Sequence, residues 1–174
     1  MYSWTMKPDI EKEWNDDALI VPSNESEVFK SHGNKLIVIV STSVTNYQYG
    51  LYDIEMDANA KGPKLHDHKL MEETFIVREG TLTVLTAKGE LQAEAGTVIH
   101  IPKLSIHGYS NDSDSIVKMT MIFNPGLDGE DFFRKMYKKL EESPNDLIAF
   151  QKLYLENDSY SVNSDDMIPM SIGK

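Results

Sequence analysis

Residues 61–80 read KGPKLHDHKLMEETFIVREG, and the reading of this stretch decides the fold. His66 and His68 are two residues apart. On a β-strand that spacing puts both imidazoles on one face, roughly 6.5–7 Å apart along the backbone and within reach of one ion. Glu73 follows, and Phe75 and Val77 share its parity, so the carboxylate is expected to face the interior with those apolar side chains. Glu72 and Asp67 have the opposite parity and read as solvated, outward-facing acids.

Outward from this stretch, short strands recur at close spacing. KLIVIVST begins at Lys35, and further runs cover 74–77, 81–85, 91–93, 97–101 and 116–123. Turn signals lie between them at Glu79-Gly80, Lys88-Gly89, Ala95-Gly96 and Asn111-Asp112. Many short strands joined by glycine-bearing turns predict an all-β sandwich or barrel rather than a parallel α/β sheet. In YQYGLYDIEM, Tyr47, Tyr49 and Leu51 alternate, then Tyr52, Ile54 and Met56; the slip beside Gly50 reads as a β-bulge.

After Phe123 the period changes. Asp128 is placed to cap a helix whose Phe132, Phe133, Met136, Tyr137 and Leu140 form one apolar stripe. Ser143, Pro144 and Asp146 read as the start of a second helix, with Leu147, Ile148, Phe150, Leu153 and Tyr154 on it. From about residue 156 the chain is polar and carries no periodic signal. The division expected is an N-terminal arm over 1–34 with room for edge strands, a barrel over 35–124, and a C-terminal helical extension and tail over 125–174.

Acidic residues outnumber basic ones by 28 to 17, a formal net charge of -11. Phosphate backbones and anionic membranes are therefore poor partners, and a small-molecule substrate or ligand is expected instead. There is no cysteine, so neither disulfides nor thiolate metal sites enter, and a cytoplasmic protein is expected. The N-terminus lacks a basic leader followed by an apolar core, and no apolar run is long enough to cross a bilayer.

His107 lies beyond a further hairpin and would close the set from a neighbouring strand. Three neutral imidazoles (His66, His68, His107) and the Glu73 carboxylate suit one divalent transition metal, Fe, Mn, Ni, Cu or Zn, with one or two positions left open. His100 alternates with Ile99 and Ile101 and is read as a wall or interface residue; His32 beside Gly33 reads as a loop residue. Phe75, Tyr109, Met119 and Met121 are the candidates to contact a substrate around the metal, Tyr109 first because it shares parity with His107 and carries a hydroxyl.

Two spaced motifs carry a family resemblance. The first is His66-x-His68, four residues, Glu73, six residues and Gly80; the second is Gly96, five residues, Pro102, then His107 and Asn111, with fifteen residues between Gly80 and Gly96. Together they resemble the cupin family. Two positions depart: Ala60 stands where a leading Gly is usual, with Gly62 displaced, and Leu104 replaces the Gly before His107. The resemblance implies a cupin (double-stranded β-helix, jelly-roll) barrel and a metal held by the four residues named. A looser likeness, in residues 61–80 and in FNPGLDGEDFF, is to bacterial cupins of the quercetin 2,3-dioxygenase type. It implies a metal-dependent dioxygenase acting on a small enol- or phenol-containing compound, with Glu73 as ligand and proton acceptor, and a homodimer. A non-redox isomerase or lyase, or a non-catalytic small-ligand-binding cupin, would use the same four residues.

Overall fold

The computed structural model describes residues 18, 20–22 and 26–162. The strands are β1 (Val28–Ser31), β2 (Asn34–Val40), β3 (Gly50–Met56), β4 (His66–Asp67), β5 (Glu72–Glu79), β6 (Thr81–Thr86), β7 (Gly89–Glu94), β8 (Val98–Ile101), β9 (His107–Ser110), β10 (Val117–Asn124) and β11 (Tyr160–Ser161). The helices α1 (Gly129–Glu142) and α2 (Leu147–Glu156) lie between β10 and β11. One sheet runs β1-β2-β3-β10-β5-β8 and the other β11-β4-β9-β6-β7, with antiparallel neighbours throughout. The two sheets form a jelly roll, as the family resemblance implies, and this lies within the sandwich or barrel that the strand spacing predicts.

Strict alternation puts one face of each long strand inside. In β5 the buried side chains are Glu73, Phe75 and Val77, and in β10 they are Val117, Met119, Met121 and Phe123. Tyr52, Ile54 and Met56 of β3 and Leu36 and Val38 of β2 complete this sheet's inner face. Leu82, Val84 and Ala93 face them from the other sheet. Gly80, at φ +77, turns β5 into β6; a Cβ there would lie 2.5 Å from the Ile116 carbonyl oxygen, so both backbone angle and space require glycine.

Several expectations shift in position. The slip beside Gly50 is not a bulge: Tyr47 and Tyr49 lie in a turn-rich loop, Tyr47 at φ +62, and β3 begins only at Gly50. The register irregularity of this strand pair falls on β2, between Val38 and Val40. Helix α2 starts later than expected: Asp146, not Ser143, is its cap, accepting the Ala149 N–H at 3.0 Å. Asp128 does precede α1, without a side-chain cap bond. Most of the expected N-terminal arm lies outside the described residues; what is described includes edge strand β1.

Helix α1 closes one end of the barrel. Phe133 packs on Tyr52 and Phe123, with ring centroids 5.1 and 5.6 Å away, and Tyr137 stacks on Phe29 of β1 at 5.4 Å. Its first turn is clamped by Glu130, whose carboxylate accepts the Thr42 N–H and hydroxyl at 2.9–3.0 Å. Among the described residues no helix is long and apolar enough to cross a membrane.

Leu104, standing where the motif has glycine, adopts the left-handed conformation itself, at φ +63, with 64% of its surface exposed. That conformation costs an L-residue roughly 1–2 kcal/mol, and glycine would return roughly 0.5–1 kcal/mol of this as chain entropy. Leu104→Gly should therefore raise the unfolding free energy by about 0.5–1 kcal/mol in urea titrations. A lowered midpoint would mean that the leucine side chain contributes more than its backbone strain removes.

Candidate metal centre

Four sequence-predicted side chains converge at one point. His66 of β4 is the register partner of His107 in β9. Glu73 of β5 lies between Phe123 of β10 and Ile101 of β8. His68 sits just past the end of β4, where its carbonyl accepts the Leu104 N–H at 2.7 Å. All four are buried, and their ligand atoms fall within 4.8 Å of one another.

The backbone decides which ring nitrogen is available. Nδ1 of His66 lies 2.7 Å from the Lys64 carbonyl oxygen, that of His107 lies 2.9 Å from Ser105, and that of His68 lies 2.6 Å from Asp158. A carbonyl can only accept, so each Nδ1 carries its proton and each Nε2 presents a lone pair whenever the ring is neutral. Nε2 of His107 and of His68 each lie 3.1 Å from an oxygen of Glu73. The His68 pair is not aligned for a hydrogen bond, which leaves that buried nitrogen without a partner. An orphaned buried Nε2, two further imidazoles and a buried carboxylate fit a divalent transition ion.

Electrostatics separate His66 from His68. Burial, followed by the neighbouring His107 and His68 rings, pushes His66 down to about 3, so it is neutral throughout the physiological range. Burial also opposes protonation of His68, but the Glu73 carboxylate and the Asp158 backbone outweigh it and leave that ring above its ordinary value. Burial alone would raise Glu73; His107 and His68 reverse the sign and hold the carboxyl well below the usual carboxylate range.

A predominantly apolar cavity of about 80 Å³ lies over the cluster. His66, His68 and Glu73 border it, with Tyr109, Met121 and Phe123 from the barrel and Phe133, Tyr137, Tyr154 and Ser159 from the C-terminal region. Of the residues expected to contact a substrate, Tyr109 and Met121 border this cavity. Phe75 and Met119, predicted alongside them, are fully buried and are not among the bordering residues. Phe75 packs instead against Tyr109, edge-on at 5.4 Å. Burial, then the charge of Glu73, pushes the Tyr109 hydroxyl well above its ordinary value and keeps it protonated.

Among the outward-facing expectations, Glu72 and His100 are on the surface and 4.0 Å apart. His32 is an exposed loop residue at φ +47. Asp67 departs: it is half-buried, and its Oδ1 finds no hydrogen-bond partner. Asp158 and Ser159 are the residues that sequence reasoning missed. Both are buried, and they belong to the stretch judged to be without signal. The Asn-Asp-Ser run after α2 was the available sign, since such residues favour turns with side-chain-to-backbone bonds.

One divalent metal per chain is the expected stoichiometry, measured by titration and elemental analysis. Glu73→Ala should weaken binding by about 10–100-fold, while Glu72→Ala leaves it nearly unchanged. A larger loss at Glu72 would put the register of β5 wrong by one. The affinity should also fall by about tenfold or more between pH 7.5 and 5.5, because an incoming metal must displace a proton. His66 is already neutral across that window, so the raised His68 supplies the competition. An affinity flat across the window would count against histidine ligation.

Residues 52–123 match the family model described as Cupin domain. Over 89 residues, 50% of this chain, the sequence is 34% identical to quercetin 2,3-dioxygenase of Bacillus subtilis (strain 168). The match spans 26% of that relative, about a quarter of its length. Among solved structures, ectoine synthase from P. lautus superposes with a TM-score of 0.57 at 17% identity, covering 68% of this chain and 86% of that one. The polyketide cyclase RemF from Streptomyces resistomycificus superposes with 0.55 at 14%, covering 68% and 94%. At those identities the likeness is one of fold. The family match takes in Glu73, both motif glycines and His107, and it falls on the jelly roll that the strands build: over residues 52–123 this barrel is similar to a cupin domain.

Proposed function

We propose that this chain is a metal-dependent dioxygenase acting on a small enol- or phenol-bearing compound. The observation that carries this reading is the cavity: an apolar space bordered by imidazoles on one side and reached by an ionised carboxylate. The partial match to a quercetin 2,3-dioxygenase supports the choice of chemistry. The cavity's size favours a small substrate, since about 80 Å³ is well below the roughly 300–1,000 Å³ of pockets for drug-sized ligands.

His66, His68, Glu73 and His107 would hold the metal, whose contribution when bound is Lewis acidity toward a substrate oxygen and redox chemistry toward dioxygen. Glu73, ionised at the cavity wall, is placed to take the proton of an enol or phenol hydroxyl. Tyr109, protonated on the same cavity, is placed to donate a hydrogen bond to a substrate oxygen. Phe123, Phe133 and Met121 exclude water and orient the apolar part of the ligand. Dioxygenation places both oxygen atoms in the product, so one dioxygen is consumed per substrate and no external reductant is needed.

A second reading, a non-redox isomerase or lyase, is favoured by one feature: an ionised carboxylate and a protonated phenol face the same cavity, as an acid–base pair would. The two readings separate in an oxygen electrode. Protein loaded in turn with Fe, Mn, Ni, Cu or Zn should consume one dioxygen per substrate with small enediols or phenols, and His107→Ala should abolish the uptake. Substrate conversion that continues unchanged under nitrogen would transfer the site to the isomerase or lyase reading. Absence of uptake across the whole panel would sink the dioxygenase.

A further inference from the structure

We propose that Asp158 is a positioning residue for His68, through which docking of the C-terminal segment sets the metal affinity of the site. The inference rests on the reading that the four buried ligands hold a metal.

Asp158 grips the site with two different groups. Its main-chain carbonyl accepts Nδ1–H of His68 at 2.6 Å. Its carboxylate accepts three successive backbone N–H groups, of Lys69 at 3.1 Å, Leu70 at 2.7 Å and Met71 at 3.0 Å. Those three amides belong to the connection that leads from His68 to Glu73, so one residue holds a ligand ring and the backbone joining it to the next ligand. Its backbone sits at φ +56, and Asp is among the residues that tolerate that conformation. With only 6% of its surface exposed, Asp158 meets its carboxylate's need for hydrogen bonds from within the protein.

His68 is set apart from the other two rings by this arrangement. His66 and His107 are anchored by carbonyls two residues earlier in their own segments, Lys64 and Ser105. The anchor of His68 lies 90 residues away in sequence. It is held there by α2 and β11: Ser159 N–H donates to the Tyr154 carbonyl at 3.0 Å, and Tyr160 and Ser161 pair with Asp67 and His66. Release of this segment removes the anchor of His68 while leaving those of His66 and His107 intact. Because coupling between two equilibria is reciprocal, metal binding must in turn hold the segment down.

The probe is Co²⁺, whose visible absorption reports ligand geometry, titrated into the 174-residue chain and into its D158A and D158N variants, with thermal melts as a check on folding. D158A should raise the Kd for Co²⁺ by about 10–100-fold and change the absorption spectrum, with D158N, which keeps one acceptor oxygen, in between. In the wild type, Co²⁺ should slow hydrogen exchange at the amides of residues 69–71 and 160–162. D158A with a lowered melting temperature but wild-type affinity and spectrum would make Asp158 a loop-stabilising residue only and overturn the proposal. Should D158A fail to fold, the spectrum of D158N and the wild-type exchange decide: no metal-dependent protection at 69–71 overturns it. A wild type that binds neither Co²⁺ nor the other divalent metals would remove the metal reading itself, an outcome distinct from wild-type binding that the variants leave unmoved.

Discussion

Glu73 carries a negative charge with 4% of its surface exposed, inside a barrel otherwise filled with Phe, Met, Leu and Val. An unpaired ion in such a place costs several kcal/mol, so its tolerance depends on what lies within reach. Two imidazole nitrogens lie 3.1 Å away, and they offset the charge when they carry a proton or when a bound cation takes the proton's place. The demand propagates through the sheet. For Glu73 to face inward, β5 must hold one register against β10 and β8; a slip by one residue would bring Glu72, Thr74 and Ile76 into the core and expose Phe75 and Val77. Barrel packing and site assembly are thus satisfied by the same register.

The C-terminal region is as much a part of the site as the strands are. Phe133, Tyr137 and Tyr154 supply one side of a cavity whose other side is the barrel's inner face. Helix α1 is seated closely on that face: a Cβ at Gly129 would lie 2.2 Å from the Tyr52 hydroxyl, so a larger residue there would displace the helix start. The cupin family match ends at residue 123, before any of this begins. The cavity therefore draws on structure outside the matched domain.

What was legible in the sequence followed rules of local geometry. Strand parity and the six residues separating Glu73 from Gly80 distinguish Glu73 from Glu72, and the structure buries the former and not the latter. Spacing brought His66, His68 and His107 together, although His68 proves to lie just beyond a strand of two residues rather than on it. Parity reports which face a side chain takes but not how deep it sits, which is why Phe75 and Met119 pack as core while Tyr109 and Met121 border the cavity. Alternating tyrosines at 47 and 49 mimic a strand, so the sequence pattern conceals the turn at Tyr47. Asp158 was invisible for another reason: half of its role is carried by a main-chain carbonyl, which every residue possesses, and the other half by contacts with amides nearly ninety positions away.

The three Nδ1–carbonyl bonds have a further meaning for how the site comes into being. Each fixes both the tautomer and the rotation of its ring, so the rotamer freedom of three side chains is surrendered when the barrel folds rather than when an ion arrives. Small metallo-domains that assemble around zinc work the other way, since their binding energy is their folding energy. In this protein a barrel with its own apolar core supplies the preorganisation of His66 and His107 without an ion, and the docked C-terminal segment supplies that of His68. An ion that entered would meet an intact scaffold, and its identity would be left to supply and ligand chemistry rather than to the act of folding.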